Sequence, residues 1–218
     1  MPPGDTLYVY ALLPDTRREL SLPDARMELV RFGNIAAAVE PRRTRPAATE
    51  RALRKQHRIV QELHEVADAI LPVRFGALVE RGELGRIIDL RRGALLSALR
   101  HVRGKVQMTL RVFGPATDEP RMTALGGTGT DYLKARAAAT RPVLSPAAED
   151  VQQAVRALVT AERVDPGRGA LRCSIHHLVG RARVDDYQAR VHTLIESTPE
   201  LVLSGPWPPF AFTPDLLE

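Results

Sequence analysis

The sequence predicts an α+β protein in two parts, and three observations carry that expectation. The run LYVYALLP (7–14) is rich in β-formers and apolar on both alternating faces, which suits a strand covered on each side. Thr49 opens a long stretch in which apolar residues recur at helical spacing. Near the end of the chain, two apolar runs flank a helix-length segment, giving strand, helix, strand. The two parts meet near residues 78 to 103, so that 1–80 form an N-terminal α+β domain and 81–218 a C-terminal one that carries a Trp/Pro tail.

The elements follow in order. After the first strand, MELVRF and NIAAAVE are two further strands joined by a turn at Gly33-Asn34. RRTRPAA (42–48) is a polar loop. Thr49 then caps a helix with Leu53, Val60, Leu63, Ala67 and Ile70 on its apolar face, and Pro72 limits its length. LPVRFGALV reads as a buried strand, and beyond it two short helices (81–90 and 92–103) are separated at Arg92-Gly93. Val106, Met108, Leu110 and Val112 alternate with Lys105, Gln107, Thr109 and Arg111, the pattern of a half-buried strand with one polar face. GGTGTDYLKARAAATR turns a glycine-rich loop into a helix from about Asp131. The next helix has Ser145 as N-cap, Pro146 in its first position, and Glu149 and Asp150 near the positive end of its dipole. Pro166 and Gly167 mark a loop. In LRCSIHHLV, Leu171, Cys173, Ile175 and Val179 share a face; Asp185 caps a helix with Tyr187, Val191, Leu194 and Ile195 inward; ELVLSG is the last strand. A crossover of this length makes its two strands parallel neighbours or leaves one strand position between them.

Composition narrows the function. With 44% hydrophobic residues the chain can build a core, and no apolar run approaches the ~18–20 residues of a membrane span. The acid in MPPGDTLYVYALLPD stands where a signal peptide carries positive charge, so a cytoplasmic location is expected. A single cysteine, Cys173, forms no internal disulfide and reads as a small buried hydrophobe. The net charge is +5, with 31 basic residues interspersed among 26 acids.

No catalytic or metal-binding pattern emerges, and neither a cofactor nor an enzymatic activity is expected. His57 and His64 are separated by ~10.5 Å of helix rise, too far to share a metal with bonds of ~2.1 Å. His176 and His177 point to opposite faces of a strand, with His177 a hydrogen-bonded inward side chain. GGTGTD lacks the Lys-Ser/Thr of a P-loop, and Tyr132 stands where a dinucleotide fingerprint has its third glycine. Asp185 and Asp186 belong to a helix start. Arg74, between Val73 and Phe75, requires either a structural carboxylate or a partner.

The tail SGPWPPFAF contains the only Trp and two of the five Phe. Its prolines favour an extended or polyproline arm, in which Trp207 and Phe210 emerge on one side, with Phe212 beyond them. Such an arm either straps its own domain or meets a partner.

LYVYAL, LPVRFG (71–76), GKVQMTLRV (104–112), GTDYL (129–133) and GPWPPF (205–210) occur in the order and at about the spacing of gas vesicle proteins F and L, and the sequence resembles that family along nearly its whole length. It departs at Gln107, where the family often has an acid, and at Phe210, where Tyr is usual. The resemblance implies a non-enzymatic accessory protein that binds the shell protein GvpA and other accessory proteins during shell assembly, with a place at the gas-facing inner surface. It also implies that the C-terminal domain is a modified ferredoxin-like fold. Arg74, Phe75, Trp207, Phe210 and Phe212 are the residues expected to form the structural or interaction motif. The competing reading is a ferredoxin-like nucleic-acid binder, favoured only by the basic balance; the strand at 104–112 offers no aromatic ring on its polar face.

Overall fold

The first strand, β1 (Thr6–Pro14), is buried at every position from Leu7 to Leu13. It lies inside an antiparallel sheet of order β2-β3-β1-β4, in which β2 (Glu28–Phe32), β3 (Ile35–Pro41) and β4 (Leu71–Pro72) are joined by β5 (Leu78–Glu80), also paired with β1. The computed structural model describes residues 6–16, 20–114 and 144–215.

Simple alternation does not run through β1. Its pairing with β3 slips between Val9 and Ala11, leaving Tyr10 as an inserted residue. Tyr8, Tyr10, Ala11 and Leu13 therefore all enter one cluster with Ile59, Val60 and Leu63 of α1 (Glu50–Val66). Thr49 caps α1 as expected, its hydroxyl accepting from the Ala52 N–H at 3.3 Å. The apolar stripe differs from the expected one. Leu53 is 45% exposed, Gln56 and Ile59 are buried instead, and the helix ends at Val66, so Ala67 and Ile70 reach the core from the extended segment beyond it.

Arg92-Gly93 does not break the chain: α2 (Arg81–Val102) is one continuous helix. An interior glycine costs ~1 kcal/mol relative to alanine, which the burial of Leu84, Ile88, Leu95, Leu99 and Val102 outweighs. Arg92 also ties the helix to the β2–β3 turn, donating to the Phe32 carbonyl at 2.8 Å and to Asn34 Oδ1 at 2.9 Å. Gly33 serves that turn twice, with a φ of +68° and with space in which a Cβ would stand 2.8 Å from Arg92 Nη1.

α2 packs on β1, β2, β4 and β5 and belongs to the first of two units, which runs to Val106 and takes in the chain again from Trp207. The second unit spans Gln107–Pro206. This differs from a division at residue 80, because the apolar face of α2 completes the covering of β1.

In the second unit the sheet order is β7-β8-β6-β9, formed by β6 (Lys105–Phe113), β7 (Val159–Pro166), β8 (Leu171–Gly180) and β9 (Leu201–Trp207). α3 (Pro146–Val155) starts at the expected Ser145 cap, and α4 (Val184–Ile195) joins β8 to β9 with β6 lying between those strands. The second of the two expected crossover arrangements is thus the one adopted. Asp185 lies within the first turn of α4 and is not its cap; Arg183 holds that position without a side-chain capping bond. β7 replaces the expected loop before Pro166. Its charged residues Glu162, Arg163 and Asp165 hide a strand that, among the described residues, sits at the sheet edge and pairs with β8 alone. The glycine-rich segment and the helix expected from Asp131 lie outside the described residues.

β6 alternates as predicted on its apolar side, but the middle of its polar face is not wet, while Arg111 is exposed. Gln107 and Thr109 are buried, bonded to each other at 3.1 Å and to His176 Nδ1 at 3.2 and 3.1 Å. On the opposite side of β8, the fully buried His177 bonds the Tyr187 hydroxyl at 2.7 Å and Glu162 at 2.8 Å. Both imidazoles titrate below the usual histidine range, chiefly because burial penalises the charged ring; for His177, Glu162 opposes that shift. Burial also raises the Cys173 thiol, as befits a core residue.

Below about pH 6.5 the unfolded chain binds protons that these folded histidines resist, so stability falls as the pH drops through that range. Urea midpoints measured at about pH 7.5 and 5.5 will show the loss, and His177→Gln will flatten the pH dependence while lowering stability at the higher pH. In the first unit, Glu40→Ala removes a carboxylate at 4% exposure that accepts from Tyr10 at 2.7 Å and lies 3.5 Å from Lys55. It will cost about 3 kcal/mol in a urea titration, against about 1 kcal/mol for Tyr10→Phe.

Candidate functional site

The residues singled out in the sequence gather on the first unit through two segments, the loop after β4 and the tail from Trp207. Tyr8 and Gln56 build the loop. Gln56 Nε2 donates to the Val73 carbonyl at 2.9 Å, the Tyr8 hydroxyl donates to Gln56 Oε1 and accepts from the Gly76 N–H at 3.0 Å, and the Val73 N–H donates to the Tyr10 carbonyl at 2.9 Å. Burial is the main cause that lifts the Tyr8 phenol above its usual range, keeping it a neutral donor. With both ends pinned, Phe75 meets the Tyr8 ring edge-on at 6.3 Å and Arg74 points outward, its side chain 76% exposed. Within LPVRFGALV, Leu71–Pro72 at one end and Leu78 and Val79 at the other pair with β1, so the expected continuous buried strand through Arg74 does not form; between them the backbone leaves the sheet to reach these side-chain bonds.

The tail does not extend as a polyproline arm. Gly205 has a φ of +122°, and a Cβ there would stand 2.8 Å from the Gln107 carbonyl oxygen, so only glycine fits the approach; the Gly205-Pro206 bond is cis. Pro209, at ψ +57°, lies far from the polyproline value of about +145°. A 3-10 turn, Phe210–Phe212, follows, closed by the Phe212 N–H on the Pro209 carbonyl at 3.1 Å and the Thr213 hydroxyl on the same carbonyl at 3.0 Å.

This turning separates the rings that an extended arm would align. Trp207 meets His57 of α1 edge-on at 5.2 Å, Phe212 lies 6.4 Å from His101 of α2, and Phe210 is left 38% exposed. Pro208 and Pro209 are buried between these contacts. Arg74 pairs with Asp215 at 2.9 Å, and Arg91 donates to the Asp215 carbonyl. The five residues thus fall into two groups: Phe75, Trp207 and Phe212 pack inward or sideways on the unit, while Arg74 and Phe210 face solvent.

The sequence did not reveal His57 and His101 as the partners of this tail, or Asp215 as the partner of Arg74. Nothing in helical spacing links an exposed helix histidine to an aromatic ring so distant along the chain; only the returning backbone does.

An exposed ion pair contributes about 0–1 kcal/mol, whereas truncating a half-buried indole leaves a gap. Trp207→Ala will therefore lower stability by about 3 kcal/mol in thermal or urea unfolding, and Arg74→Ala by less than about 1 kcal/mol. Equal and small losses would show that the tail does not strap its unit.

The model of the family described as gas vesicle synthesis protein GvpL/GvpF matches residues 6–214. Two solved structures share the fold at low identity. The gas vesicle protein GvpF from Anabaena sp. PCC7120 is 14% identical with a TM-score of 0.70, covering 96% of each chain. GvpF from Microcystis aeruginosa is 13% identical with a TM-score of 0.70, covering 95% of this chain and 98% of that one. None of the curated protein sequences matches the chain. A family match that begins within β1, ends within the tail and takes in both units leaves no part of the described fold aside: the chain belongs to the GvpL/GvpF family of gas vesicle synthesis proteins.

Proposed function

We propose that this chain is a non-enzymatic accessory protein that binds the gas vesicle shell protein GvpA, assists shell assembly, and resides as a minor component on the gas-facing inner surface. The observation that carries the reading is the family match over residues 6–214, joined to a tail that leaves Phe210 exposed beside a strapped Trp207. A shell subunit must bury apolar surface in a wall yet first exists in water. A binder that covers that surface draws the subunit away from aggregation by mass action, and needs no catalytic group to do so.

Arg74 and Phe210 are the side chains best placed for such a contact, since packing on the unit leaves them the most exposed of the five. The work takes place in the cytoplasm, where shells are built; among the described residues no helix is long and apolar enough to cross a membrane. We read the second unit as a modified ferredoxin-like domain. Its sheet order supports this, with β6 and β8 central and β7 and β9 at the edges, and with α3 and α4 packed on each other.

Co-expression with a tagged shell protein tests the reading. The folded chain will be retained with the shell protein, and Phe210→Ser will reduce retention by about tenfold without lowering the unfolding temperature. A folded chain that captures no shell protein would sink the binding proposal, and undiminished capture by Phe210→Ser would move the contact away from the tail.

A further inference from the structure

The net charge of the protein is concentrated in one place. Residues 42–58 hold seven arginines and lysines against one acid, Glu50, a local charge of +6; the rest of the chain sums to −1. The basic residues are therefore not interspersed evenly with acids.

Two of the seven are neutralised inward: Arg42 and Lys55 lie 4.0 and 3.5 Å from the buried Glu40. The others face solvent. On α1, Arg51, Arg54 and Arg58 follow one another at spacings of three and four, which places them on a single stripe opposite the buried Ile59 and Leu63. Arg54 and Arg58 have side chains 79% and 62% exposed and make only surface pairs with Glu50 and Glu62. Arg43, Arg45 and Arg51 are exposed and have no carboxylate partner among the described residues. Arg45 lies over Gly76, so the loop before α1 adds its charge near the helix start, where the dipole is also positive.

Two further features define what fits. Leu53, 45% exposed, lies on the flank of this stripe with His57, whose ring carries Trp207, so the basic face has an apolar edge. The stripe ends at Glu62 and Glu65, one and two turns beyond Arg58. A phosphate backbone continuing along α1 would meet those carboxylates, whereas a protein segment can change sign along its length. The geometry points to residues 50–58 of α1, with the loop before it, as a docking surface for an acidic amphipathic helix of a partner protein. Its carboxylates, spaced at three and four, meet Arg51, Arg54 and Arg58, and its apolar stripe covers Leu53. The inference does not rest on shell binding.

The test uses a fluorescein-labelled peptide of about 20 residues, long enough to hold a helix, with Glu at that spacing and Leu on the adjoining stripe. Fluorescence anisotropy will show binding to the full chain that weakens steeply between about 50 and 300 mM salt. Arg51→Gln/Arg54→Gln/Arg58→Gln will lose about tenfold or more in affinity with an unchanged circular-dichroism melt. The charge-matched Arg111→Gln/Arg156→Gln/Arg168→Gln, in the second unit, will bind as the unsubstituted chain does. Absent or salt-independent binding of the peptide overturns the proposal, as does equal affinity of the α1 variant. An oligothymidine of the same length that binds more tightly than the peptide assigns the surface to nucleic acid instead. A molar mass by light scattering that halves in the α1 variant assigns it to a second copy of the chain.

Discussion

Two phenol groups on a strand with no exposed face set the terms for the first unit. Tyr8 and Tyr10, two positions apart on β1, enter the interior on the α1 side with their rings 5.0 Å apart, and the insertion at Tyr10 adds Ala11 and Leu13 to that side. A buried hydroxyl without a partner costs about 1–3 kcal/mol, so each must be answered. Gln56 of α1 and the Gly76 amide answer Tyr8; Glu40 of β3 answers Tyr10. Three separate stretches of chain are thereby positioned against β1 by polar groups, while the apolar contacts around them supply most of the driving force.

The Glu40 carboxylate extends this arrangement outward. Lys55, Arg26 and Arg42 surround it at 3.5, 3.8 and 4.0 Å, and Lys55 and Arg26 also hold Asp24. Hydrogen bonds from Arg26, with a further one from Lys55, hold the Asp24 carboxyl well below the usual carboxylate range. Burial, reinforced by Glu40, drives the Tyr10 phenol well above its own, so the phenol remains a donor at any physiological pH. The second unit uses the same economy with histidine. His177 is satisfied at both ring nitrogens by Tyr187 and Glu162, and so joins α4 to the edge strand through the sheet between them.

The candidate site lies on the outside of this framework. Gln56 and Tyr8 bind the backbone of the loop after β4, and the loop so held brings Arg74 to Asp215 of the returning tail. The tail reaches α1 and α2 only through a glycine at positive φ and a 3-10 turn, which commit Trp207 and Phe212 to helix histidines and release Phe210 to solvent. An accessory protein of the GvpL/GvpF family thus carries its aromatic signature partly as a fastening and partly as surface. The strongest electrostatic feature lies elsewhere, on α1 and the loop before it.

Some of this was already determined by the sequence, because the responsible forces act over a few residues. A run of β-formers apolar on both faces marked β1, alternation marked the apolar side of β6, side-chain caps at Thr49 and Ser145 set two helix starts, and the Gly33-Asn34 turn set a hairpin. The order and spacing of short motifs carried the family. Only the tertiary structure decided the rest. Whether Gly93 interrupts a helix depends on what covers its neighbours, and α2 is continuous because β1 needs a second layer. A charged edge strand such as β7 forms because β8 offers it a ladder, which no local pattern announces. Proline composition favoured an extended tail, but packing on two distant helices outweighed that preference, since the burial of rings and prolines is worth more than a local torsional bias.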